Sequence, residues 1–435
     1  MKSKQIFKEN IILLVTYLII FFFLIFQNAI YSPDTYSYLM AMPYRHLGYV
    51  IFAKSFFFIF GDYFDTAVVF FQTVFCLGSI HFIFKKINTL LQLNVILKCV
   101  LLMALIFPLF EPLSVANNIC PEGISYPLYL IFIALNLEFL CNDNSKVLKY
   151  IVLCFLALVF TRGQFIFSEL IFALVFIAKY KNQLFKGTRF THLLVLIFMP
   201  ILVVLGEMSY HKLKDGIFMT TPFGFVNMSS AAYYVSNKED AKQIINDDFR
   251  SIFVQSHYEL DRKNLLMSSQ PNSTYEDYYG FFHNHIPQIC NHTTFLTAQK
   301  YFIEKNPVQP NNPKLAIAKS YYNAEKASKA IALTLIQHNF KTWLKLFIAN
   351  ISYSFYSVFL LLFMVAAFTF SLIKLLGSFH KWYALLFICS ALSLSNAVLI
   401  AIASHSIMRY TFYNYTFILL TLLLAFKIIR HGIKD

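Results

Sequence analysis

Residues 11–29 read IILLVTYLIIFFFLIFQNA, and SPDTYSYL follows at 32–39. The first stretch carries no charge and is long enough to cross the hydrocarbon core of a bilayer as one helix, which takes about 20 mainly apolar residues. It lacks a small-residue cleavage site, so it reads as a retained span rather than a leader. Similar runs recur along the 435 residues, which are 58% hydrophobic and 13% charged and include 50 Phe. Soluble domains carry about 25% charged residues, so a soluble globular fold is excluded. The expected class is all-α: a polytopic helical membrane protein with about 10 transmembrane helices and one extracytoplasmic helical domain.

Charge gives the sidedness. Seventeen of the 36 Lys and Arg, but only three of the 22 Asp and Glu, fall in alternate joints between the apolar runs. The nineteen basic and nineteen acidic residues elsewhere cancel, so the whole formal charge of +14 sits on one face. Basic loops resist translocation, and that face is read as cytoplasmic. The basic balance is thereby explained without nucleic acid. Seven Cys occur without a CxxC pair, so neither a structural zinc site nor a disulfide framework is indicated, although Cys120 and Cys290 both fall on the outer side.

With Lys2, Lys4 and Lys8 inside, the first span delivers Asp34 to the outer face. Residues 47–60, interrupted by Lys54, are too short for a crossing and suit an interfacial or re-entrant helix. Spans are expected at 66–84, 94–110 and 124–140. Two short apolar runs within 150–178 are separated by Thr161, Arg162, Gly163 and Gln164, with Lys149 before and Lys179 and Lys181 after; they predict a hairpin whose tip points outward or into a cavity. A span at 191–207 closes a transmembrane region, 1–208, of about seven spans.

Residues 209–341 are polar and mixed in charge and predict a helical extracytoplasmic domain, with helices at 238–265, about 275–290 and from about 313 onward. The last region, 342–435, predicts three spans at 346–373, 383–404 and 410–426 and a basic tail of Lys427, Arg430 and Lys434. Both termini then lie inside.

Asp34 is the candidate catalytic residue. A carboxylate at the outer mouth can serve as general base for a sugar hydroxyl, and Tyr36 and Tyr38 offer flat apolar faces for a sugar; capping of a short helix after Pro33 is the competing role. Glu122, in CPEGISYP, opens the fourth span, where a helix N-terminus favours a carboxylate. Asp62, Asp65 and Glu111 fall on the same face, and such a set either holds a divalent metal or forms a solvated rim. Arg162 and Arg409 sit at the outer edges of apolar sequence, where guanidinium groups clamp phosphate; for Arg409 the alternative is an interfacial anchor beside Tyr410. His405 lies one turn earlier. GFFHNHIPQICNHTT crowds His283, His285, Cys290 and His292 without matching a zinc motif. No Walker loop, GxGxxG opening a helix, HExxH or GxSxG is present.

The pattern resembles the GT-C class of polytopic membrane glycosyltransferases, which includes protein mannosyltransferases and aminoarabinose transferases. Five features carry the resemblance: Asp34 in the first outer loop, the segment Tyr44-Arg45-His46-Leu47-Gly48-Tyr49, Pro121-Glu122 opening the fourth span, Arg162 in FTRGQ, and Arg409-Tyr410 opening the last span. The chain departs from the class in having Thr35, not a second acid, after Asp34, and Arg45-His46-Leu47 where relatives show His-Pro-Pro or Arg-Pro-Pro.

The resemblance implies an inverting enzyme that uses a polyprenyl-phosphate sugar, with Asp34 as base, Arg162 and Arg409 on the phosphate, and Tyr36, Tyr38, Arg45, Glu122, His405 and Tyr410 around the substrates. The acceptor would be a surface glycan, a lipid-linked glycan or lipid, or a protein. Serotype-modifying glucosyl transferases of bacterial O-antigen are similar in size and plan, which points to glycan or lipid modification; the expected location is a bacterial inner membrane. Two other classes compete. A lipid-linked sugar flippase should show matched broken helices in two repeats, and a polysaccharide polymerase or ligase should rely on Arg and His of its large outer loop.

Overall fold

A chain that enters hydrocarbon must satisfy its own backbone N–H and C=O groups, and helices do this within one segment. The computed structural model, which describes residues 2–271, 274–305 and 313–431, is accordingly helical. No strand occurs among the described residues, and Ile30 and Asn118 form an isolated parallel bridge. Lys434 of the basic tail lies outside the described residues.

Among the described residues, seven helical segments are long and apolar enough to cross a membrane: Leu47–Leu91, Glu122–Asn142, Gly163–Tyr180, Arg189–Asp215, Val358–Gly377, Lys381–Ala403 and Met408–Arg430. They mark the chain as a membrane protein. Asn10–Ile25 and Val95–Leu109 are shorter apolar helices.

The chain divides into two units. Unit 1 comprises Met1–Val203, Ala367–Leu392 and Phe412–Asp435; unit 2 comprises Val204–Ala366 and Ser393–Thr411. In chain order the helices are α1 (Lys2–Ile25), α2 (Pro33–Leu39), α3 (Leu47–Phe60), α4 (Phe64–Leu91), α5 (Val95–Ile106), α6 (Glu122–Asn142), α7 (Leu148–Thr161), α8 (Ser168–Tyr180) and α9 (Arg189–Asp215). There follow α10 (Gly224–Tyr234), α11 (Asp247–Arg262), α12 (Tyr275–Ile289), α13 (Leu296–Lys305), α14 (Pro313–His338), α15 (Phe340–Ser354), α16 (Val358–Gly377), α17 (Lys381–Ala403), α18 (Met408–Thr411) and α19 (Tyr415–His431).

In unit 1 the core is aromatic and aliphatic, built largely from α4, α6, α7 and α8, with Phe132, Phe155 and Phe172 fully buried. Small residues let these helices approach. A β-carbon on Gly48 of α3 would stand 2.7 Å from Thr161 Oγ1 and 2.8 Å from the backbone at Phe160, so α3 packs directly on the end of α7. A β-carbon on Gly123 would collide with the Gln72 side chain, which fixes α6 against α4. Gln72, itself fully buried, donates to the carbonyls of Ala116 (2.9 Å) and Asn118 (3.0 Å) and so pins the loop ahead of α6.

The segment 47–60 is a separate helix, broken from α4 at Gly61, whose φ of 52° lies in the left-handed region that glycine tolerates. Its end exposes Phe57, Phe58, Ile59 and Phe60. The predicted hairpin is α7 and α8 around a short 3₁₀ turn, Gly163–Phe165. The predicted span 346–373 is corrected: α15 ends at Ser354, Tyr356 takes a φ of 57°, and α16 starts afresh at Val358. The helix expected over 238–265 is also divided, into a 3₁₀ segment Lys238–Gln243 and α11.

Unit 2 packs α10 to α15 around Tyr233, Phe253, Phe282 and Ile331. Its key polar device is Glu325 on α14. The carboxylate accepts from the backbone N–H groups of Phe223 (2.9 Å), Phe225 (2.8 Å) and Val226 (3.0 Å), occupying the donors that open α10. Burial raises the Glu325 pKa, and those N–H groups oppose the rise. Replacing Glu325 with Leu strands buried donors and is expected to cost unit 2 about 2–3 kcal/mol. Thermal unfolding followed by Trp343 fluorescence measures this loss, with Glu325→Gln expected to fall between the variant and wild type.

Candidate functional site

Short-range chemistry places Asp34. Pro33 presets the first turn of α2, and Ser32 caps it: the Ser32 hydroxyl accepts from the Asp34 N–H at 3.3 Å, while Thr35 Oγ1 accepts from the Ser32 N–H at 3.1 Å. The capping role weighed for Asp34 thus belongs to Ser32. The turn is moored to the loop before α6: Thr35 donates to the Ile119 carbonyl at 2.8 Å, and Ser32 Oγ lies 2.7 Å from Cys120 Sγ. Cys120 and Cys290 are not joined in a disulfide.

The Asp34 carboxylate forms an ion pair with Arg45, which arrives from the turn before α3. Asp34 keeps 28% of its side chain exposed. Arg45 also donates through Nε to Ser37 Oγ at 2.7 Å and lies over the Tyr38 and Tyr44 rings, 4.6 and 4.7 Å from their centroids. Burial works against the Arg45 charge, but Tyr38 and Asp34 outweigh it and hold the pKa above the usual guanidinium value.

A second pair lies deeper. Glu122, at the first position of α6 and 5% exposed, is bonded to Arg162, which closes α7 in extended backbone. Arg162 donates through Nε to Gln164 and sits 5.7 Å from the centroid of Tyr413. The Tyr413 hydroxyl is 2.7 Å from Ser125 Oγ, one turn into α6.

Tyr38 feels both pairs. Burial raises its pKa; Arg45 and Arg162 oppose that rise, and Glu122 and Asp34 add to it. Its ring meets Tyr49 edge-on at 4.9 Å, and the Tyr49 hydroxyl reaches Gln72 Oε1 at 3.5 Å. Tyr36, on α2 with Asp34 and more than half exposed, stacks on Tyr31 at 6.0 Å, and the two rings form a flat aromatic platform. A β-carbon on Gly163 would come within 3.0 Å of His46, so the turn after Arg45 meets the turn after Arg162.

Five of the residues singled out from sequence therefore meet in unit 1, Asp34, Tyr38, Arg45, Glu122 and Arg162, and a sixth, Tyr36, lies in the same unit on α2. The other three, His405, Arg409 and Tyr410, belong to unit 2. There His405 packs edge-on against His283 at 5.1 Å, and burial, reinforced by His283, lowers its pKa to about 4. Arg409 lies on α18, where the Tyr410 carbonyl accepts from Asn396 Nδ2 at 3.3 Å.

The histidine-rich stretch does not converge. His285 stacks on Phe281 at 4.0 Å, Cys290 donates to Asn227 Oδ1 at 3.4 Å, and His292 is exposed. Among the described residues, no group of three or more His, Cys, Asp or Glu is placed to hold a metal ion. Asp62, Asp65 and Glu111 accordingly form no such group with Asp34 and Glu122.

Gln72 and Tyr413 join the site without having been singled out for it, and His46, Tyr49 and Gln164, which lie in the quoted segments, join it without having been given a role. The glycines at 123 and 163 are a signal in the sequence, because they mark the close approaches that bring in Gln72 and His46. The arrangement offers one accessible carboxylate, two guanidinium groups able to exchange a carboxylate for phosphate oxygens, and aromatic walls.

No family model matches the chain, and no curated protein or solved structure matches it either.

Proposed function

We propose that the chain is a GT-C-type membrane glycosyltransferase that moves a sugar, with inversion, from a polyprenyl-phosphate donor to an extracytoplasmic glycan or lipid. The observation that carries this reading is the gathering of Asp34–Arg45 and Glu122–Arg162 around Tyr38. Asp34, the more exposed acid, is the base that takes the acceptor proton. Arg45 and Arg162 steady the phosphate leaving group, and the platform of Tyr36 and Tyr31 receives a sugar face. The donor follows from sidedness: nucleotide sugars are made inside, so an outward-facing transferase requires a sugar already carried across on lipid phosphate.

We count ten crossings, the seven long segments with Asn10–Ile25, Val95–Leu109 and Leu148–Thr161, the last as one arm of the hairpin bounded by Lys149 and Lys179; the even number and the basic joints put both termini on the cytoplasmic side, and the membrane we propose is a bacterial inner membrane. On that plan residues 209–341 are extracytoplasmic. A single Cys placed at Ser269 of a cysteine-free variant should react with a membrane-impermeant maleimide in intact cells, and one placed at Ser145 should react only after permeabilisation. The reverse pattern would overturn the sidedness. The activity is tested by supplying the purified protein with polyprenyl-phosphate sugar and glycan acceptors: a new glycosidic bond is expected, whereas movement of the labelled lipid across the bilayer without one would favour a flippase.

A further inference from the structure

A separate trough of about 580 Å³ lies between α1 and α4 and shares no lining residue with the site around Asp34 and Glu122. Tyr17 meets His81 at 5.6 Å and Phe21 meets Phe70 at 5.9 Å, so the two helices run antiparallel along it. Its composition changes from end to end. Leu18, Phe21, Val74 and Leu77 line one end, and Asn10, Tyr17, His81 and Lys85 line the other.

Gly78 keeps the middle open, because a β-carbon there would meet nothing within 4 Å. Tyr17 Oη and His81 Nδ1 are buried without a hydrogen-bond partner. The lining includes the cation Lys85 and no carboxylate. From Asn10 to Phe21 the trough extends roughly 17 Å at 1.5 Å per residue, close to half of a hydrocarbon core about 30 Å thick. Leu14, Leu18 and Val74 on its walls are exposed, so it opens sideways toward lipid.

We infer that this trough binds one anionic glycerophospholipid, an acyl chain lying over Gly78 toward Phe21 and the headgroup phosphate held by Asn10, Tyr17 and Lys85. The polar end supplies hydrogen-bond donors and a positive charge, which suit phosphate and repel a choline cation. The length matches one leaflet, which favours an acyl chain over a longer polyprenyl chain. This inference is independent of the transferase reading.

The test uses the full chain in nanodiscs of equal phosphatidylglycerol and phosphatidylcholine, with native mass spectrometry of lipid retained after release. Wild type should keep one phosphatidylglycerol, preferred roughly fivefold, the factor one basic residue confers at a membrane surface. Gly78→Leu should lose the bound lipid. Lys85→Gln and Tyr17→Phe, which leave the apolar wall intact, should keep a lipid while losing the headgroup preference. Equal retention of the two lipids by wild type, undiminished retention by a folded Gly78→Leu, or a preference unchanged in Lys85→Gln would overturn the assignment. So would cross-linking through this face to a second copy of the chain.

Discussion

Asp34→Asn is expected to lower sugar transfer by about 10²- to 10⁴-fold, the range general base catalysis contributes. The substitution keeps the shape of the side chain and an oxygen that can accept from Arg45, so the turn capped by Ser32 should persist. What disappears is the capacity to take a proton from an acceptor hydroxyl. The loss should therefore fall on kcat, with the KM for the polyprenyl-phosphate sugar nearly unchanged, and the melting temperature should move little. Retention of most of the activity would show that Asp34 serves only to hold Arg45, and the base assignment would fall. Arg45→Ala provides the contrast: it should raise the KM for the donor more than the KM for the acceptor.

The second large effect is on stability. Glu122 and Arg162 are 5% and 12% exposed, and removing one member of a buried pair leaves the other charged and desolvated. Arg162→Met is expected to cost about 3–5 kcal/mol. The double variant Glu122→Gln/Arg162→Met should recover much of that loss, because neither uncompensated charge remains. Unfolding in detergent measured for the two single variants and the double closes the cycle. A double variant as unstable as Arg162→Met alone would show that the loss comes from the contacts with Gln164 and Tyr413 rather than from the pairing of charge.

Lipid imposes simple rules, and what those rules govern was readable in advance. Hydropathy placed the long helices, and the basic joints separated the membrane segments from the polar stretch that forms most of unit 2. Asp34, Glu122 and Arg162 stood out because ionisable groups beside apolar sequence are costly. Gln72, Tyr49 and Tyr413 did not, since a Gln or Tyr inside a span reads as filling until a distant backbone approaches it. The break at Tyr356 was missed for a related reason: averaging hydropathy over SYSFYSVFLLL conceals one residue of left-handed backbone. Arg409 and Arg162 read alike in the sequence as phosphate ligands because both border apolar runs; Arg162 belongs to unit 1 and Arg409 to unit 2.

The close approaches at Gly48 and Gly123 bear on how a substrate gains entry. Where backbone meets side chain with no room for a methyl group, parting α3 from α7 or α6 from α4 would give up many packed contacts at once. Arg45 is held by Asp34, Ser37 and the Tyr38 and Tyr44 rings, yet turning this one side chain breaks fewer contacts than parting two helices. On the proposed function, admission needs one side chain to turn aside within a stationary frame, so the path to Asp34 opens without any parting of helices.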